Sequence, residues 1–233
     1  MPISENPNEI KYGTYVAGFD GYKVSTSKTT DSVGAFYIYK RTVGITGFQD
    51  QLVVSYASRP NQVDVFYDQC LLLLEKYNAE VLPESDPPFQ DYMKRQGKLH
   101  KYFANCTNLA KTINENTNAI LVYGLPQTQN NKDHIMKLVN EYVYEKVIVG
   151  YDDNKDPIYN LGVTRINDLM LLEELEKFKD NYDRIIAFGH ALAWANELKN
   201  RGITGGEREV KPNAAEDWIK GIQNYRRKSK YSR

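Results

Sequence analysis

The chain is poor in several kinds of residue and motif. It has two cysteines in 233 residues, Cys70 and Cys106, far apart and without a CxxC pair. That excludes a cysteine zinc site and suits a reducing compartment. Its three histidines, His100, His134 and His190, show no HExxH or HxH spacing, which argues against zinc. His190, between Gly189 and Ala191, reads as a packed core histidine. There is no charge excess, with 30 Lys plus Arg against 30 Asp plus Glu. Global charge therefore predicts no polyanion partner, and only local patches could. No apolar run approaches the length of a membrane span and no signal peptide is evident, so no membrane partner is expected. No GxxxxGK[ST] loop is present; the only Gly-Lys pair, Gly97-Lys98, is followed by Leu99 and lacks the earlier glycine. ATP hydrolysis is not expected of this chain. Neither a GxSxG nucleophile elbow nor an internal repeat appears.

What is present is an ordinary globular composition, 41% apolar and 26% charged, with 18 tyrosines suited to half-buried positions and groove linings. The length allows one sizeable domain or two small ones. Residues 1–13 are polar with two prolines and read as a lead-in linker. Strands are expected at 15–20, 35–42 and 51–57, close enough for an antiparallel meander. Val63, Phe66, Tyr67, Cys70, Leu73, Leu74 and Tyr77 then fall on one helical face. "AEVLPES" (79–85) reads as a strand stopped by "DPP", and 89–113 as a less regular helical region. "AILVYGL" (119–125) is another strand, followed by a helix from about 130. A hairpin over 147–161 turns at "DDNKDP". Ile166 to Phe178 marks a further helix, and an Ala- and Gly-rich helix starts at Asp183. The last 16 residues carry Lys220, Arg226, Arg227, Lys228, Lys230 and Arg233 and no acid. Three antiparallel strands followed by strands alternating with helices predict an α/β, ribonuclease-H-like mixed sheet. Helices lie on both faces, and the β-hairpin is extra.

That arrangement gives meaning to "YVAGFDGY" (15–22), where an apolar run ends on Asp20. Asp20 and Glu84 would end two parallel neighbouring strands, and Asp183 would open a late helix beside them. Carboxylates so gathered repel one another unless cations compensate. Two Mg²⁺ or Mn²⁺ ions suit oxygen ligands and can drive phosphodiester hydrolysis. Each acid also has a plainer role open to it: a turn acceptor at Asp20, a surface strand end at Glu84, a helix cap at Asp183. Asp31, Asp86 and Asp180 stand near enough in sequence to serve as outer partners. Lys132, near a helix start, is either solvated or a DNA contact. Arg184 either steers a phosphate or pairs with an acid.

The ordered set "YVAGFDGY", "SRPNQVDVFYDQCLLLLEKYNAEVLPES", "TRINDLMLLEELEKF" and "NYDRIIAFGHALAWANE" resembles the C-terminal nuclease domain of the large terminase subunit of tailed bacteriophages. The resemblance spans roughly 15–200. It implies a ribonuclease-H-like domain over 14–205 with a two-metal acidic site at Asp20, Glu84 and Asp183. It further implies cleavage of concatemeric viral double-stranded DNA during packaging in the host cytoplasm. The implied partners are the terminase ATPase domain, the portal and the small terminase. The hairpin resembles an extra element that borders the DNA groove in these nucleases. Lacking a phosphate loop, the chain departs from the full-length subunit and reads as the nuclease domain alone. Residues 1–13 would then be a linker remnant, and 206–233 a basic tail. In that tail Arg226, Arg227 and Lys228 could meet DNA.

Two other classes stay open. One is a Holliday-junction resolvase or transposase-like nuclease, and the other a non-catalytic DNA or portal docking module. The segment 17–40 is also similar to the first phosphate loop of the actin and sugar-kinase group. That reading requires a second Asp-Gly-rich turn, and "PESDPP" and "GLPQTQ" end the later strands without one.

Overall fold

The computed structural model describes residues 2, 4, 6–22, 32–41, 50–113, 123–177 and 182–203. Asp31, Asp180, most of the strand expected at 119–125 and the basic tail lie outside the described residues. Strand β1 (Tyr15–Asp20) is buried at every position. Its side chains alternate between two cores, as the two-residue period of a strand requires. Tyr15, Ala17 and Phe19 join Phe36, Ile38 and Val81 on one face, while Val16 joins Tyr37, Tyr39 and Leu82 on the other.

Strand β2 (Gly34–Lys40) runs antiparallel to β1, and β3 (Gln51–Ser58) antiparallel to β2. Helix α1 (Val63–Tyr77) then crosses over, so that β4 (Glu80–Pro83) returns parallel to β1. The sheet order is β3-β2-β1-β4. The expected meander and parallel return are both present, and α1 buries Phe66, Tyr67, Cys70, Leu74 and Tyr77 from its predicted face.

The region expected to be loosely helical is three short helices: α2 (Pro87–Arg95), α3 (Leu99–Tyr102) and α4 (Thr107–Ile113). Gly97, at φ +65°, turns the chain after α2. Of the strand expected at 119–125, the described part makes only isolated bridges, Leu125 with Glu84 and Tyr123 with Asn105. Helix α5 (Gln129–Tyr144) leads into the hairpin of β5 (Lys146–Tyr151) and β6 (Pro157–Leu161), a separate two-stranded sheet. Asp152 organises its turn by accepting from the N–H groups of Asn154 (2.9 Å) and Asp156 (2.8 Å). Helix α6 (Leu169–Lys177) starts three residues after Ile166 because Asp168 caps it, accepting from the N–H groups of Met170 (3.0 Å) and Leu171 (3.2 Å).

Helix α7 (Asp183–Asn200) is buried nearly all round, as befits a helix enclosed between a sheet and other helices. It packs with α5 and α6 on the Val16 side, while α1, α2 and α3 cover the Phe19 side. The sheet therefore has helices on both faces. Gly18 makes the α7 contact possible. A β-carbon there would fall on the backbone carbonyl of Ala187 and the amide of Ala191. Gly189 does the same for α7 against Ile135 of α5.

Residues 6–13, expected as a linker, are fastened to this body. Ile10 and Tyr12 are buried, Asn78 Nδ2 donates to the Ile10 carbonyl (2.9 Å), and Tyr12 Oη donates to Glu80 (2.6 Å). Cys70 and Cys106 are buried in opposite cores and form no disulfide with each other. No helix among the described residues is long and apolar enough to cross a membrane.

Gly18→Ala is expected to destabilise the domain by about 2–3 kcal/mol or more, because the obstacle is helix backbone rather than a movable side chain. Thermal melting should show a fall of about 2–4 °C per kcal/mol. Gly150→Ala, where a β-carbon meets open space, should leave the melting temperature nearly unchanged.

Candidate functional site

Asp20 lies at the end of β1 on the same side as Val16 and Gly18, the side that α7 covers. It is 7% exposed. The parallel register sets Phe19 opposite Pro83, so Glu84 follows directly beside Asp20. The Glu84 N–H donates to the Phe19 carbonyl at 3.1 Å. On its other side Glu84 bridges to Leu125. There Gly124, at φ +86°, has no room for a β-carbon against the Glu84 carbonyl.

Helix α7 brings the third acid. Its middle lies over Gly18, and Trp194 near its far end donates to Glu80 at the start of β4 (3.2 Å). The helix therefore begins at the Asp20 end of the sheet, with Asp183 in its first turn. Asp183 Oδ2 also accepts from the Val33 N–H at 2.9 Å, which fixes the approach to β2. Glu174 of α6 caps the same helix end, accepting from the Arg184 N–H (3.1 Å).

The result is a mutually repelling set. Burial pushes the Asp20 carboxyl well above the ordinary carboxylate range. The charges of Glu84 and Asp183 push it further, as do a hydrogen bond with Glu84 and the charge of Asp86. The structure thus sets Glu84, Asp183 and Asp86 within electrostatic reach of Asp20.

Asp86 is well supported. It caps α2 by accepting from the Phe89 N–H (3.4 Å) and accepts from the Tyr67 hydroxyl. Burial, then the Asp86 charge, pushes that hydroxyl well up. Asp86 reaches this place because Gly21 has no side chain; a β-carbon there would meet Asp86 Oδ2. The glycine directly after Asp20 was the available sequence signal. Tyr67 carried none beyond its place on the apolar helix face.

His190 is buried in α7, and burial lowers its pKa to about 4, so its ring is neutral near pH 7. Nδ1 lies 3.1 Å from the Phe19 carbonyl. A carbonyl only accepts, so Nδ1 carries the hydrogen and donates.

The expected DNA contacts stand differently. Lys132 is half-buried in the first turn of α5, its N–H donating to the Thr128 carbonyl at 3.0 Å. Arg184 is turned onto Glu174 in an ion pair of 2.8 Å, both side chains 16% exposed. Of its two expected roles, the acid partner is the one seen. Arg226, Arg227 and Lys228 lie outside the described residues.

Carboxylates are the oxygen donors that a hard divalent cation such as Mg²⁺ or Mn²⁺ takes, and such a charge would offset the repulsion around Asp20. Among the described residues no group of three His, Cys, Asp or Glu side chains is placed so that it could hold a metal ion.

This raised proton affinity has a definite consequence for stability. A carboxyl whose pKa is higher folded than unfolded stabilises the fold below its unfolded value, about 3.9. That contribution is lost as pH rises through the folded value. Metal-free protein should therefore lose stability as pH climbs above the ordinary carboxylate range. Asp20→Asn, which cannot ionise, should melt a few degrees higher at neutral pH, about the effect of 1 kcal/mol or more in a chain this size. It should also show a shallower slope of melting temperature against pH. Melting curves of both proteins in chelator across pH 4–9 provide the measurement.

No protein-family model matches the chain, and no curated protein matches its sequence. The chemistry of this acidic cluster has to be read from its own residues.

Proposed function

We propose that the chain is a ribonuclease-H-like, divalent-metal-dependent endonuclease that cuts double-stranded DNA, in the manner of the terminase nuclease domains its sequence resembles. One observation carries this reading. Asp20 is buried at the end of a central strand with Glu84, Asp183 and Asp86 all raising its proton affinity. A fold keeps so unfavourable an arrangement where a counter-charge offsets it. The strand order β3-β2-β1-β4, with β4 parallel to β1 and helices on both faces, supports the fold part of the reading.

Asp20, Glu84 and Asp183 would hold the ions, and Asp86 would orient them from beside Gly21. When bound, two divalent ions make a water nucleophilic near neutral pH and stabilise the leaving 3′ oxygen of a phosphodiester. The chain's own part is to supply that rigid cradle. Phe19 and Glu84 are locked by a backbone bond, Asp183 by the Val33 N–H, and Asp86 by the α2 cap and Tyr67. Asp20 would have to be the carboxylate to serve as a ligand. Products should carry 5′-phosphate and 3′-hydroxyl ends. The biological setting is cleavage of concatemeric viral DNA in the host cytoplasm. The resemblance names an ATPase domain, the portal and the small terminase as the partners of this reading.

Nicking of supercoiled plasmid tests the reading. Cleavage should require Mg²⁺ or Mn²⁺, stop with chelator and ignore ATP. Asp20→Asn, Glu84→Gln and Asp183→Asn should each lower the rate about 100-fold or more, a loss of about 2.7 kcal/mol of transition-state stabilisation. Full activity in folded Asp20→Asn, or cleavage untouched by chelator, would refute the site. A strong preference for four-way junctions would indicate a resolvase instead.

Truncation after Tyr225 removes Arg226, Arg227 and Lys228 along with the chain end. DNA affinity should drop, and the salt slope should flatten by about 0.9 for each phosphate the shortened chain no longer neutralises. Equal affinity and slope in the truncated and full chains would show that the tail does not touch DNA.

A further inference from the structure

The Phe19 carbonyl is a meeting point for the three elements that carry the acids. It belongs to the peptide group that leads into Asp20. It accepts from the Glu84 N–H at 3.1 Å and from His190 Nδ1–H at 3.1 Å. His190 lies seven residues after Asp183, two helical turns along the same face of α7. A single oxygen therefore links the backbones of β1 and β4 to the helix that presents Asp183.

We infer that His190 is a positioning residue of the acidic site, setting the Phe19–Asp20 peptide and the height of α7 above it. This inference rests on the nuclease reading proposed above. A packing role alone does not account for the ring. His190 is 2% exposed, and an apolar side chain in its place would carry no desolvation cost. Nor does the carbonyl need the histidine for satisfaction, because the Glu84 N–H already supplies a donor. What the second donor adds is direction. The peptide plane is rigid, so two donors converging from different elements fix its tilt and with it the Cα–Cβ vector of Asp20.

Three proteins separate this role from mere packing. They are the unsubstituted chain, His190→Leu and His190→Asn, whose amide nitrogen takes the place of Nδ1. Each is measured for Mn²⁺ affinity by electron paramagnetic resonance titration, for kcat and KM of plasmid nicking, and for thermal melting. His190→Leu should weaken Mn²⁺ binding and lower kcat by about 10- to 100-fold, the usual loss when a group that orients metal ligands is removed. KM for DNA should stay the same and the melting temperature should not fall. His190→Asn should recover most of both losses. If His190→Leu does not fold, His190→Gln replaces it, since its amide reaches the Nε2 position and leaves the Phe19 carbonyl with one donor. Wild-type Mn²⁺ affinity and kcat in folded His190→Leu or His190→Gln would overturn the inference while leaving the nuclease reading intact. So would an asparagine variant as impaired as the leucine one. If the unsubstituted chain neither binds Mn²⁺ nor nicks DNA, the nuclease reading fails and this inference with it.

Discussion

The close seating of α7 on β1 is the constraint from which the rest follows. It depends on the missing side chain of Gly18, which lets helix backbone approach strand backbone at Ala187 and Ala191. Were the helix held off, Asp183 would leave the neighbourhood of Asp20. The far end is pinned as firmly. Buried Glu80 accepts from Tyr12 (2.6 Å) and Trp194 (3.2 Å). Arg41 donates to the carbonyls of Gly13 (2.7 Å) and Ile203 (2.8 Å), tying the start of β1 to the chain beyond α7. The helix is thus fixed at both ends, with the His190 bond between them.

Against this rigid frame the acids are a local liability. Burial and like charge both favour the protonated form of Asp20, so the metal-free domain is held together despite its site. The surrounding bonds explain how it persists. Two of the repelling carboxylates are committed, Asp183 to the Val33 amide and Asp86 to α2 and Tyr67, and the Glu84 backbone is tied to Phe19. Preorganisation of this kind is what a site needs if binding of its ligand is not to be consumed in ordering the protein.

Much of this was legible in the sequence because it is local. The period of two marked β1 and β2, the period of 3.6 marked α1, and an apolar run ending in Asp-Gly marked the first acid. Glu84 and Asp183 followed from topology, since parallel neighbours align their C-terminal ends. Other features were set by contacts between distant residues. His190 reads correctly as buried, but its partner is 171 positions away. Arg184 gives no hint of Glu174 until α6 folds back on the start of α7. Residues 6–13 look like a linker by composition, yet Ile10 and Tyr12 are anchors. Large apolar residues set in a polar stretch were the only sign. The start of α6 moved because Asp168 caps it, a local signal that the apolar spacing outweighed.

The two faces of β1 are closed by parts of the chain made at very different times. Residues 63–77 cover the Phe19 side, whereas the Gly18 side waits for residues 183–200. During synthesis the strand pairs early with its antiparallel neighbours, but one of its faces stays bare until nearly the whole described body has emerged. Such long-range closure slows folding. It also makes the acid cluster latent in every partial fold. Asp20 and Glu84 can meet without α7, but Asp183 cannot join them. The cluster is therefore complete only once α7 has been seated on β1.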